Sequence, residues 1–243
     1  MTFAVAILKS ETIERMRHVS SATLCTQLFK RGFRNVFVQG IQQLARGGAG
    51  NLVGPAFTLR NIPAREDIDQ LSAFENPEHP QRKGMEMVPP GYVLVMDCRG
   101  ERRVASGGQI LLTRLMVRGV AGVVSDGPVR DSHEIAQMNF SVFCAGGSAP
   151  LNLLQHHAID LNVPIGCGGV AVYPGDVIVG DREGVVVIPA HLADEVAADA
   201  AQQEKLEEFI LERVRGGVAL PGTYPPNAAT RAAFEVWRKS KEG

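Results

Sequence analysis

The residues best equipped for chemistry lie in one stretch, residues 106–134, which reads SGGQILLTRLMVRGVAGVVSDGPVRDSHE. Gly107 and Gly108 stand at the start of a helix expected over residues 109–118. Glycines there leave backbone N–H groups bare, and with the helix dipole these favour a carboxylate or a phosphate. After one apolar run comes Asp126-Gly127-Pro128-Val129-Arg130-Asp131. In α/β sheets ligands sit beyond the carboxyl ends of strands, which is where this hexapeptide falls. Arg130 can fork two hydrogen bonds onto a carboxylate. Asp131 offers hard oxygen ligands to a cation such as Mg²⁺, which keeps several waters and takes one or two protein carboxylates. These parts suit a 2-oxo acid whose carboxylate and keto oxygen share the cation, with helix amides and Arg130 holding the remaining negative charge. A Lewis acid there stabilises the enolate left when a carbon–carbon bond breaks. Taken singly, each part has a plainer meaning: helix-start geometry for Gly-Gly, a cap with a surface neighbour for Arg-Asp, a turn for Asp126. Their conjunction is what points to a site.

Such residues need a sheet to present them. Residues 92–96, 120–125 and 140–144 are apolar runs, separated by helical stretches at 109–118 and 131–138. That rhythm predicts parallel strands covered on both faces. Upstream, residues 11–18 and a second segment, capped by Ser20 or Ser21 and running to Arg31, are expected helices. Residues 36–38 and 52–59 are expected strands, the latter bent or placed at an edge by Gly54-Pro55. Residues 61–90 mix charge and proline and read as a long loop with a short helix around 67–74, either functional or a plain surface excursion. Downstream, 163–165 and 170–172 are short strands, and 176–179 and 184–188 form a hairpin about Gly180-Asp181-Arg182-Glu183. A long helix over 190–215 ends at Gly216-Gly217. The proline-rich bridge LPGTYPP then leads to a helix over 227–239, anchored by Phe234 and Trp237.

The chain has 243 residues, which fits one domain with an extension. Its 25 basic and 26 acidic residues give a net charge of −1, without the basic stripe of a nucleic-acid binder. Cys25, Cys98, Cys144 and Cys167 form no C-x-x-C pair and read as free thiols in a reducing compartment. The chain start lacks a basic region and a cleavage site, and no apolar stretch has the length of a membrane span. A cytoplasmic protein without membrane or nucleic-acid partners is expected. His156-His157, placed on a helix, point apart and are not a shared metal site. His133 and Glu134 lie close enough to Asp131 to support a bound cation, or are ordinary helix-surface groups. Asp97 ends a strand and either lines the crevice or caps a loop.

The run G-G-Q, followed after one strand by D-G-x-x-R-D, resembles the RraA-like family. That family includes the class II 4-hydroxy-4-methyl-2-oxoglutarate aldolases and the regulators of ribonuclease E activity. Ser21-Ala22-Thr23-Leu24, the strand at 54–59 and residues 168–189 extend the resemblance over most of residues 15–200. It implies an α/β fold, an RraA-like α/β/β/α sandwich of swivelling-domain type over residues 1–217. Residues 218–243 reach beyond the compact members of the family, and this C-terminal helical extension is expected to pack on a neighbouring subunit or to cover the site. It also implies a homotrimer or homohexamer with active sites at subunit boundaries, and Mg²⁺ or Mn²⁺ as cofactor.

Carried onto this chain, Asp131 matches the metal ligand, and Arg130 matches the catalytic arginine that binds substrate. Gly108, Gln109, Ile110 and Leu111 match the stretch whose amides take the pyruvate carboxylate. Gln109 stands where the aldolases have an acid that holds a metal-bound water, and Thr26 where a neighbour's glutamate reaches in. Both can hydrogen-bond water, but neither carries charge. The expected function is a metal-dependent carbon–carbon lyase acting on pyruvate-like 2-oxo acids, aldolase or oxaloacetate decarboxylase. Alternatives are a dehydratase or lyase of a sugar-derived 2-keto-3-deoxy acid, and a non-catalytic ribonuclease-binding protein. The acid retained at Asp131 favours an enzyme.

Overall fold

A computed structural model describes residues 8–242; residues 1–7, on which the expectation of no export signal rests, lie outside this range. The described chain begins with α1 (Ser10–Met16) and α2 (Ser21–Lys30), the latter capped by Ser20 Oγ, which accepts the Thr23 N–H at 3.1 Å. Then come β1 (Gln42–Ala45), β2 (Leu52–Pro63), α3 (Pro80–Met87), β3 (Val93–Asp97), α4 (Gln109–Val117), β4 (Gly122–Ser125), α5 (Ser132–Ala136) and β5 (Ser141–Cys144). The remainder is β6 (His156–Leu161), β7 (Ile165–Cys167), β8 (Val170–Val172), β9 (Val177–Gly180), β10 (Val185–Ile188), α6 (Ala193–Arg215) and α7 (Ala228–Glu242).

Strands β2, β3, β4 and β5 run parallel, and β1 closes the β5 edge antiparallel. Strand β2 is long enough to serve two neighbours on its other side. Its first residues pair with β9 and its last with β6, both antiparallel. The sheet therefore curls from a parallel half into the β9–β10 hairpin.

Alternation along these strands sorts the core into three layers. Leu94 and Met96 of β3, with Val123 and Val142, face a cluster shared with Met85, Leu112, Leu115 and Ile135 of the helices α3, α4 and α5. Val93, Val95, Val124 and Phe143 face the other way, against Ile178, Val185, Val187 and the β7–β8 hairpin. On the far side Val177, Val179, Val186 and Ile188 meet Leu24 and Leu28 of α2 and Val196, Ala197 and Ala200 of α6. Helices, sheet, sheet and helices thus stack as an α/β/β/α sandwich with a C-terminal helical extension. A one-residue slip in any of these strands would exchange two layers, and each misplaced valine or leucine forfeits about 1.5–3 kcal/mol of burial. The register is held firmly for that reason. Within the chain, α7 returns to α6, where Phe234 and Trp237 pack on Phe209 and Trp237 Nε1 donates to Glu212 at 2.8 Å.

Several local expectations are corrected. Residues 36–38 form no strand, only an isolated bridge from Phe37 to Val186, because the chain turns at Gly40 with φ +74°. Residues 61–90 are not mainly loop: β2 persists to Pro63, a 3₁₀ turn spans Leu71–Glu75, and α3 follows. Pro80 presets the first turn of α3. Met85 and Val88 then bury against the sheet, and Gly84 lets the helix lie so close to β6 that a Cβ would stand 2.9 Å from Leu161 Cδ2. Gln81, Arg82, Lys83, Met85, Glu86 and Met87 are good helix formers, so Gly84 is the one unfavourable residue inside this helix. The strand expected at 163–165 is displaced to β7, and the polar run QQLA forms β1 only because β5 offers it an edge.

His156-His157 open a strand rather than sit on a helix. Strand alternation buries His156 and leaves His157 half-buried, its Nδ1 2.7 Å from Asp69 Oδ1. Burial, and then the charge of Arg99, pull the His156 pKa down to about 4. The unfolded chain takes up this proton near pH 6.5 and the folded chain does not, so the stabilisation is complete above that pH and is lost as pH falls toward 4. This residue is expected to remove about 2 kcal/mol of unfolding free energy between pH 7 and pH 5. Urea curves at the two pH values check it: His156→Gln should lose that part of the pH dependence.

Candidate active site at the start of α4

The loops before α4 and after β4 are tied together before either reaches the cleft. Ser106 gives both its N–H and its Oγ–H to the Pro128 carbonyl, at 2.7 and 2.8 Å. Ser125 Oγ donates to Ser106 Oγ at 3.0 Å and accepts the Gly127 N–H at 3.1 Å. Gly127 has to be glycine, since a Cβ would stand 2.7 Å from Cys98 Cβ. Arg130 N–H closes the pair by donating to the Gly107 carbonyl at 3.0 Å. From α3, the Gln81 side chain reaches the Ser106 carbonyl at 2.8 Å. The two motifs singled out in the sequence are therefore adjacent and rigidly registered.

Gly108 is the N-cap of α4, and Asp131 supplies the missing acceptor: its Oδ2 takes the Gln109 N–H at 3.1 Å. Asp131 adopts the left-handed conformation with φ 57° and does not cap its own helix α5. A non-glycine residue held there stores local strain of the kind found at functional sites, and Asp and Asn tolerate it best. Its side chain is 38% exposed, and its Oδ1 lies 3.5 Å from Arg130 Nε, whose side chain is 50% exposed. A pair this long and this wet contributes little stability, so both groups can turn to a ligand at small cost.

In front of them lies a cleft of 420 Å³. Gly107, Gly108, Ile110 and Leu111 form one wall with Arg130 and Asp131, and Phe74, Gln81 and Arg82 from the 61–90 segment also line it. The N–H groups of Gln109 and Leu111 are already engaged, with Asp131 and with the Gly108 carbonyl. Among the described residues the amides of Gly108 and Ile110 carry no such bond. The Gln109 side chain is not part of the wall; what this residue contributes is its backbone N–H.

Other candidates fall elsewhere. Thr26 on α2 donates to the Ala22 carbonyl at 3.0 Å and lines a separate, larger cavity of 880 Å³ between α2, α6 and the C-terminal segment. His133 and Glu134 are exposed on α5 and absent from the cleft wall. Asp97 caps a loop by accepting the Arg99 N–H at 2.9 Å. Cys98, Cys144 and Cys167 are buried and Cys25 half-buried, all free; burial pushes the Cys98 thiol up to about 12 and keeps it inert.

Asp126 is more than a turn residue. Buried beneath the site, its carboxylate accepts the N–H groups of Cys98, Gly100 and Gly168 at 2.6, 3.1 and 3.2 Å. Asp126→Ala orphans these donors and is expected to cost about 3 kcal/mol, with Asp126→Asn between it and wild type. Denaturant unfolding measures this directly. The reading from sequence alone passed over Ser106, Ser125, Gln81, Phe74 and Arg82; only the serines carried a local signal, each standing directly before a Gly-Gly or Asp-Gly turn.

Among the described residues no group of three His, Cys, Asp or Glu side chains could hold a metal ion. The donor available is one carboxylate with one oxygen already capping α4. That set does not suit zinc, which needs three or four side-chain ligands. It suits Mg²⁺ or Mn²⁺ bound mostly by water and substrate.

Fold and site together define an α/β/β/α sandwich with a cleft where a helix start meets an Arg-Asp pair. A family model described as RraA-like, aldolase/RraA, matches residues 21–187, and the chain belongs to that family. It is 37% identical over 157 residues to a Halalkalibacterium halodurans protein provisionally named as a 4-hydroxy-4-methyl-2-oxoglutarate aldolase, covering 65% of this chain and 69% of that one. Its fold superposes on that of an uncharacterized protein from Pseudomonas syringae pv. tomato with a TM-score of 0.79 at 26% identity, covering 93% and 99% of the two chains. It also superposes on Streptomyces coelicolor RraAS2, described as an unusual member of the RNase ES inhibitor RraA family. There the TM-score is 0.73 at 31% identity, over 84% and 97% of the two chains.

Proposed function

We propose that the protein is a divalent-metal-dependent lyase of pyruvate-like 2-oxo acids, of the 4-hydroxy-4-methyl-2-oxoglutarate aldolase or oxaloacetate decarboxylase type. The observation that carries this reading is the convergence of Arg130, Asp131 and the start of α4 on one cleft. The name of the H. halodurans relative supports it. Arg130 and the amides of Gly108 and Ile110 hold the substrate carboxylate and orient the adjacent keto group. The same donors stabilise the negative charge that grows on the three-carbon fragment as the bond to the departing group breaks. Asp131 is the residue that would hold Mg²⁺ or Mn²⁺, which supplies Lewis-acid polarisation of the keto oxygen. Phe74, Ile110 and Leu111 exclude water from the reacting carbons.

Among the described residues no histidine or glutamate lines the cleft, and the carboxylate on its wall, Asp131, is engaged with the Gln109 N–H. Aldol cleavage needs a base to take the proton of the C4 hydroxyl as that oxygen becomes a carbonyl and the C–C bond breaks, whereas loss of CO₂ from oxaloacetate needs none. The cleft of a single chain therefore favours decarboxylation. A neighbouring subunit of a trimer or hexamer is the natural source of a base for the aldol reaction. The experiment is pyruvate release from both substrates with and without EDTA. Metal-dependent release from oxaloacetate at the higher rate is expected, and turnover unaffected by chelation contradicts the reading. A second reading, a ribonuclease-binding protein, is favoured by the RraAS2 likeness. Co-elution with a ribonuclease, together with no lyase activity, would establish it instead.

A further inference from the structure

The cleft holds one positive charge more than this reading uses. Arg82 of α3 lines it beside Arg130 and Asp131. The Arg82 guanidinium lies 4.2 Å from the centre of the Phe74 ring, and among the described residues no carboxylate stands within ion-pair reach of it. Burial lowers its pKa from the ordinary arginine value, with no opposing charge acting to restore it. Other arginines of this chain are neutralised: Arg31 by Glu195 and Asp199, Arg103 by Glu101, Arg114 by Glu86. The neighbouring Gln81 is 4% exposed; its Nε2 is spent on the Ser106 carbonyl, and its Oε1 is buried at the cleft wall without a donor.

A partly desolvated guanidinium without a counter-charge is unfavourable, and a ligand anion removes the penalty. Asp131 offsets Arg130, and the first carboxylate of a 2-oxo acid is already accounted for by Arg130 and the α4 amides. Arg82 calls for a second anionic group on the same ligand, and Gln81 Oε1 for a hydroxyl or water beside it.

We infer that Arg82 is a specificity-determining residue that receives the distal carboxylate of a dicarboxylic 2-oxo acid, with Phe74 holding the guanidinium flat for that contact. The inference rests on the 2-oxo acid reading of the cleft and narrows it. Chains ending in a carboxylate are selected over sugar-derived 2-keto-3-deoxy acids whose far end is neutral. Phe74 and Arg82 also give the 61–90 segment its function, as the part of the chain that sets substrate length and charge.

Titration calorimetry of the full chain with Mg²⁺ tests this using two non-cleaved ligands of equal length, 2-oxoglutarate and 2-oxopentanoate, which differ in a distal carboxylate against a methyl. Wild type is expected to bind 2-oxoglutarate roughly tenfold to a hundredfold more tightly, the worth of a charge-assisted hydrogen bond. Arg82→Gln should erase that preference while leaving 2-oxopentanoate binding unchanged, which also shows that the variant is folded. Arg82→Lys should keep part of the preference. A preference that persists in Arg82→Gln, or its absence in wild type, overturns the assignment of Arg82 while the 2-oxo acid reading stands. Failure of wild type to bind either ligand overturns both.

Discussion

Arg130→Gln is expected to lower kcat/KM for oxaloacetate about a thousandfold, the scale of losing a donor aimed at developing negative charge. The guanidinium is half-exposed, and its nearest carboxylate, on Asp131, is 3.5 Å away. A surface pair of this kind contributes at most about 1 kcal/mol, so the melting temperature should scarcely move. Glutamine keeps the stem and one donor, but neither the charge nor the fork that matches a carboxylate. Steady-state kinetics beside a thermal melt separate the two effects. A large fall in stability with little change in turnover would make Arg130 a structural residue.

Gly108→Ala should be nearly as damaging, by a different route. A methyl group there would stand 2.7 Å from both Arg130 Cγ and Asp131 Oδ2. The backbone, at φ −134°, accepts alanine readily. The strain therefore falls on the two side chains that face the cleft, which must move aside. Displacements of about 1 Å at a reacting centre cost roughly a hundredfold in rate. Reduced turnover with a native melting curve is the expected outcome. Unchanged kinetics would mean that Arg130 and Asp131 need not hold their present positions.

The centre of the site was legible because it is local. Gly107-Gly108 at a helix start and Arg130-Asp131 after a strand are recognisable within short windows, and the parallel strand β4 between them announces itself as an apolar run. What joins the two motifs was less visible. Ser106 and Ser125 act through one carbonyl and one another's hydroxyl, contacts that composition does not encode. The far wall escaped altogether. Helix α3 reads as loop because charges and prolines crowd its segment and Gly84 interrupts it, and burial of Met85 and Val88 against the sheet is what fixes it as a helix. Arg82 was passed over with it. Strand β6 was hidden for a similar reason: HHAIDL carries strand alternation too weak to read until β2 pairs with it. Thr26 shows the other limit, since its role in the resemblance depends on a neighbouring subunit and in one chain it lines a different cavity.

Asp131 admits two descriptions, a helix cap or the carboxylate on which the reaction turns, and Asp131→Asn separates them. Asparagine tolerates the left-handed backbone and keeps an oxygen for the Gln109 N–H, so the cap survives while the charge is lost. The decisive measurement is pyruvate release from oxaloacetate by this variant in saturating Mg²⁺. A rate lower by about three orders of magnitude at an unchanged melting temperature is expected. Turnover equal to wild type would contradict the catalytic account and leave Asp131 as a cap.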